Sequence, residues 1–99
     1  MNLTFTESTD QSFGGSPAYE ATFKASNAFN LHIERDQSAA LIIYQRTPTA
    51  GRYARLQGFD YSQSQGEVID IDFTGGIFPK DIKVVSASKP SMAFVTFAE

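Results

Sequence analysis

Residues Tyr19 to Glu34 read YEATFKASNAFNLHIE, and the period of this stretch decides the fold. Tyr19, Ala21, Phe23 and Ala25 alternate with Glu20, Thr22 and Lys24. After Ser26-Asn27, a turn or bulge, Phe29, Leu31 and Ile33 alternate with Asn30, His32 and Glu34. Successive side chains of an extended chain point to opposite faces, so each run gathers its apolar members on one side. That is the pattern of an antiparallel strand with one face on a core and the other in water.

The same grammar extends outward in both directions. Leu3 and Phe5 alternate with Thr4 and Thr6, a short first strand. Ile69, Ile71 and Phe73 alternate with Val68, Asp70 and Asp72. Leu41 to Arg46 is apolar on both faces and belongs in the middle of a sheet. Arg52 to Phe59 is a weaker strand, with Tyr53 and Phe59 on the face opposite Ala54 and Leu56. Ile82 to Ala87 and Met92 to Ala98 complete the set.

Turn signals separate these runs: Ser8 to Pro17 with Gly14-Gly15, Asp36-Gln37-Ser38, Thr47 to Gly51, Asp60 to Gly66, Gly75-Gly76, and a hairpin loop at Ser88-Lys89-Pro90-Ser91. No run of ten residues carries a 3.6-residue apolar stripe. About eight antiparallel strands with no substantial helix predict an all-β protein, a single β-sandwich domain over residues 1–99, of jelly-roll or immunoglobulin-like type. The last strand, apolar on both faces through Met92, Phe94, Val95 and Phe97, is expected at a sheet edge. An apolar edge invites pairing, so a homo-oligomer is expected, a trimer if the chain belongs to a virion.

Composition narrows the function classes. Nine Phe and four Tyr in 99 residues supply a core without disulfides or metal staples. The absence of cysteine excludes disulfides, thiolate metal sites and Cys nucleophiles. The start MNLTFTESTDQSFGGSP has neither a basic nor an apolar signal region, and the longest apolar stretch is Ala39 to Tyr44. A soluble protein made in the cytoplasm, with no membrane partner, is expected. Eleven acids against eight Lys and Arg give a net charge of −3, so direct nucleic-acid binding is not expected.

Three constellations could carry chemistry. Asp70 and Asp72, with Glu67 nearby, share a strand face with Cβ atoms about 7 Å apart. Such a pair could bind Ca²⁺ or act as acid and base on a glycoside, or it could form a solvated face paired across the sheet with Arg or Lys. His32, the sole histidine, alternates with inward residues and reads as an ordinary exposed strand residue. No serine sits in a nucleophile elbow, and neither glycine pair has the spacing of a phosphate loop. No catalytic residue, cofactor or metal site is therefore predicted.

The third constellation is Tyr44, Arg46, Arg52, Tyr53 and Arg55. Three of the four arginines lie within ten residues, flanked by two tyrosines. A hairpin of Leu41–Arg46 with Arg52–Phe59 would gather them at its Thr47–Gly51 end. Arg stacks on rings and grips carboxylate or phosphate through two parallel bonds, and Tyr and Arg concentrate binding energy at interfaces. The cluster either docks an acidic partner or is neutralised by Asp70 and Asp72.

The stretches AYEATFKASNAFNLHIERDQSAALIIYQRT and FPKDIKVVSASKPSMAFVTFAE resemble, in texture, small β-sandwich virion proteins of tailed bacteriophages. The texture is many short strands, Ser/Thr/Gln/Asn-rich loops, no Cys and mild acidity. The resemblance implies a non-enzymatic protein that decorates a capsid or forms a head or tail accessory. It would reside in the virion, and its partners would be other copies of itself and a capsid or tail protein. It transfers no functional residue. The alternative function is a carbohydrate- or protein-binding β-sandwich module of a bacterial protein, and the alternative residence is cytoplasmic.

Overall fold

In the computed structural model, which describes residues 1–9, 18–35, 40–59 and 67–98, the alternating runs become strands and none of these described residues is helical. The strands are β1 (Thr6–Ser8), β2 (Ala18–Ala25), β3 (Phe29–Arg35), β4 (Leu41–Arg46), β5 (Ala54–Phe59), β6 (Glu67–Phe73), β7 (Lys80–Ser86) and β8 (Met92–Phe97). The turns expected at Gly14-Gly15, Asp36-Gln37-Ser38 and Asp60 to Gly66 lie outside the described residues. Among the described residues no helix is long and apolar enough to cross a membrane.

The strands form two antiparallel sheets, one of five strands in the order β1-β2-β7-β4-β5 and one of three in the order β6-β3-β8. The inward sets meet between them. Ala21, Phe23 and Ala25 of β2, Leu41 and Ile43 of β4, and Ile82 and Val84 of β7 are buried against Phe29, Leu31, Ile33, Ile69, Ala93 and Val95 of the smaller sheet. Leu31, Ile33, Ile43, Ile82 and Val84 are fully enclosed, each stabilising the fold by roughly 1.5–3 kcal/mol relative to exposure. Aromatic rings close one end of the sandwich. Phe29 stacks on Phe73 at 4.9 Å and takes the edge of Phe23 at 5.3 Å. This is the end where β2, β4, β6 and β8 finish and β3, β5 and β7 begin.

Three expectations need correction. The first strand is not Leu3–Thr6. Leu3 N–H donates to the Ala93 carbonyl at 2.9 Å, Val95 N–H donates to the Met1 carbonyl at 2.8 Å, and Asn2 bridges Phe94. The chain then crosses to the other sheet, where Thr6–Ser8 pairs with β2. The alternation was a true inward signal, since Phe5 is buried, but it spans a change of sheet. Second, this N-terminal segment covers the outer edge of β8, so the free apolar edge expected there does not exist. Third, Ser88 to Ser91 is not a hairpin loop, because β7 and β8 lie in different sheets. It is a crossover, fastened where Ser91 donates from N–H and Oγ to the Glu34 carbonyl at 2.9 and 3.0 Å.

The route of residues 1–8, from beside β8 to beside β2, sets the two sheets relative to each other. The β1 side of the larger sheet lies over the β8 side of the smaller one. The opposite flank holds β5 and β6.

Candidate docking surface

The predicted hairpin forms: β4 pairs with β5, and Ala50 N–H donates to the Thr47 carbonyl at 3.0 Å across the turn. Because Leu41 and Ile43 face the core, Tyr44 and Arg46 face outward. Register then places Tyr44 between Arg55 on β5 and Lys83 on β7, and Arg46 beside Asp81. The Arg46 guanidinium carbon lies 4.5 Å from the centre of the Tyr53 ring. Lys83 Nζ sits 4.9 Å from the same ring centre and 5.1 Å from that of Tyr44. Arg46 Nη2 and Nε donate to Asp81 Oδ2 at 3.1 and 3.3 Å.

Of the five predicted residues, the structure brings Tyr44, Arg46 and Tyr53 into one cation–aromatic cluster and sets Arg55 opposite Tyr44. Arg52 stands on the exposed turn before β5. No acid among the described residues pairs with Arg52 or Arg55. The Arg55 guanidinium folds against Gly58, where a Cβ would collide with it. Lys83 and Asp81 belong to the cluster and were not predicted. Their alternation with buried Ile82 and Val84 signalled an outward face, but only register shows which residues they meet.

Of the two alternatives for the arginines, neutralisation by Asp70 and Asp72 is not found among the described residues. Both acids lie on β6 in the other sheet, and Asp81 partners Arg46 instead. Nor do Asp70 and Asp72 pair with Arg or Lys among the described residues. Asn30 Nδ2 donates to Asp72 Oδ1 at 2.9 Å, and Asp70 Oδ1 meets His32 Nδ1 at 2.8 Å. The Glu67 side chain is outside what the structure describes.

His32 faces outward as predicted, yet it is not an ordinary exposed residue. Its side chain is only 27% exposed. Its Nε2 lies 2.8 Å from Glu34 Oε2 while Nδ1 contacts Asp70. A neutral imidazole carries one N–H, so hydrogen bonds to carboxylates at both nitrogens require the imidazolium form. The Glu34 carboxylate, and next the Asp70 carboxylate, raise the His32 pKa above its ordinary value of 6.5. The two acids hold opposite sides of the ring and so do not converge on one point. Among the described residues no three His, Asp or Glu side chains are grouped to hold a metal ion.

Two shallow clefts flank these features. One, of about 240 Å³, lies at the aromatic end and is lined by Phe29, Asn30, Asp72, Thr96 and Phe97. The other, of about 130 Å³, adjoins the cation–aromatic cluster and is lined by Lys24, Arg46, Pro48, Pro79 and Asp81. Lys80, buried at the same end, donates to Gln45 Oε1 at 3.1 Å and lies over the Phe78 ring at 4.6 Å. It ties the loop before β7 to β4.

Comparison with protein families, with curated proteins and with solved structures found no match. Fold and surface therefore define the class: an antiparallel two-sheet β-protein whose larger sheet presents a cation–aromatic outer face.

Proposed function

We propose that the chain is a non-enzymatic structural protein that works by docking, with the outer face of the larger sheet as its contact surface and an acidic protein as its partner. One observation carries this reading. In a chain of net charge −3, Arg46 and Lys83 are held against Tyr53 with Tyr44 alongside, while Arg52 and Arg55 stand exposed beside them. Stacking fixes the Arg46 guanidinium before any partner arrives, which reduces the ordering entropy lost on binding. The large aromatic and Arg side chains are those that supply interface anchors.

The alternative of a carbohydrate-binding module is less favoured by the same geometry. Sugar platforms need free ring faces, and both tyrosines already have cations against them. Within the docking class, the resemblance to small tailed-phage virion proteins supports a capsid decoration or a head or tail accessory, where many copies multiply weak contacts. The test is incorporation of tagged chain into purified particles, read by mass spectrometry. Wild-type chain should be present in many copies per particle, and an Arg46→Ala/Tyr53→Ala variant should be lost while keeping the β-type circular dichroism of the folded chain. Particles lacking the wild-type chain, or full incorporation of the variant, would contradict the proposal.

A further inference from the structure

The flank opposite the N-terminal crossing holds two strand edges with no partner among the described residues: that of β5 in one sheet and that of β6 in the other. They differ in charge. The β5 edge carries exposed Arg55, with Arg52 just before the strand, and the β6 edge carries exposed Asp70 and Asp72. Arg55 shares the outer face with its cross-strand partner Tyr44. Asp72 and Asp70 share the outer face of their own sheet with Asn30 and His32. Like charges along one edge are a usual protection against edge-to-edge association. Opposite charges on two edges of one flank protect against only some of the possible pairings.

We propose that this flank is the interface of a two-fold dimer of the chain, in which β5 of each copy extends the sheet ended by β6 of the other. This deepens the assembly reading and rests on it, naming a second copy as a partner. Two closed arrangements can abut the flank with a copy of itself. An axis perpendicular to the sheets sets β5 against β5 and β6 against β6. Arginines then oppose arginines and aspartates oppose aspartates, which is destabilising for residues directly across a ladder. An axis parallel to the strands exchanges the layers, so each β5 meets the partner copy's β6. It also brings the two outer faces to the same side, placing Arg55 on the side that carries Asp70 and Asp72.

The strand directions agree. β5 begins and β6 ends at the aromatic end of the sandwich, so each junction is antiparallel, like every strand pairing among the described residues. Ala54 and Phe73 mark that end, and one step inward sets Arg55 level with Asp72 of the second copy. Such an interface is isologous: each copy gives one basic and one acidic edge and receives the other, and the assembly closes at two.

Charge reversal tests this directly. Sedimentation of the wild-type chain should give twice its 10.9 kDa mass. Arg55→Asp alone and Asp72→Arg alone should each give monomers with unchanged β-type circular dichroism. The Arg55→Asp/Asp72→Arg double variant, which restores opposite charges at both junctions, should dimerise again. The Arg46→Ala/Tyr53→Ala variant, altered only in the docking face, should remain a dimer. A wild-type chain that is monomeric up to millimolar concentration would overturn the dimer, as would single reversals that leave it intact or a double variant that stays monomeric. A monomeric wild type that still enters particles would overturn the dimer alone and leave the docking reading standing.

Discussion

Arg46 lies with its guanidinium carbon 4.5 Å from the centre of the Tyr53 ring, and the same guanidinium donates two hydrogen bonds to Asp81 Oδ2. Ring and carboxylate together hold one cation in place on the outer face of a sheet. The residues come from three places in the chain, β4, the turn before β5, and β7, and only sheet register brings them together.

Tyr53→Ala therefore separates binding from stability. The cation–π contact is partly exposed, so its loss should cost about 0.5–1 kcal/mol of stability. Truncating an interface anchor costs about 2 kcal/mol or more of binding. Tyr53→Phe keeps the ring and should retain most of the binding. Thermal melts paired with a binding titration check both values.

Asp81→Asn removes the charge opposite Arg46. Both side chains are 39% exposed, so the pair should contribute only about 0.2–1 kcal/mol to stability, and less at high salt. The variant should show a small fall in melting temperature that shrinks as NaCl is added. A loss of several kcal/mol would assign Asp81 a structural role beyond this pair.

His32 makes the fold sensitive to pH. Its folded pKa is raised, so its stabilising contribution is full below the unfolded value of 6.5 and is lost as pH rises through the higher folded value. Denaturation midpoints should fall as pH rises from 6 toward 9, and in His32→Gln that part of the dependence should disappear. NMR titration of the imidazole should give a midpoint above 6.5; one at or below it would contradict the clasp between Glu34 and Asp70.

Phe29 is the centre of the aromatic end, touching Phe23, Phe73 and Phe97. Phe29→Ala should destabilise by about 3–5 kcal/mol through lost burial and the cavity left behind. Chemical denaturation measures it.

The sandwich was legible because alternation is a local signal. Tyr19 to Glu34 carries its own two faces, and the structure follows them residue by residue. Register and sheet membership are not local. Ser88 to Ser91 looks like any hairpin loop, and nothing within it shows that β7 and β8 belong to different sheets. Leu3 and Phe5 point inward as their alternation implies, but a change of sheet between Leu3 and Thr6 leaves the period of two intact. The arginine hairpin was readable because a short turn joins β4 to β5. Asp81 was not, because its place beside Arg46 depends on pairing across 35 positions of sequence. Parity alone puts His32 on the outer face; one of its two acids, Glu34, is its neighbour on the same face, but Asp70 comes from another strand.

In the proposed function, the outer face of the larger sheet is a docking surface for acidic groups. The most direct measurement is a ¹⁵N–¹H NMR titration of the chain with a poly-glutamate peptide at low salt. Saturable shifts should concentrate at Tyr44, Arg46, Arg52, Tyr53, Arg55 and Lys83, be reversed by added salt and be lost in Arg46→Ala/Tyr53→Ala. Shifts absent from these residues, or concentrated around His32 and Lys89 instead, would contradict it.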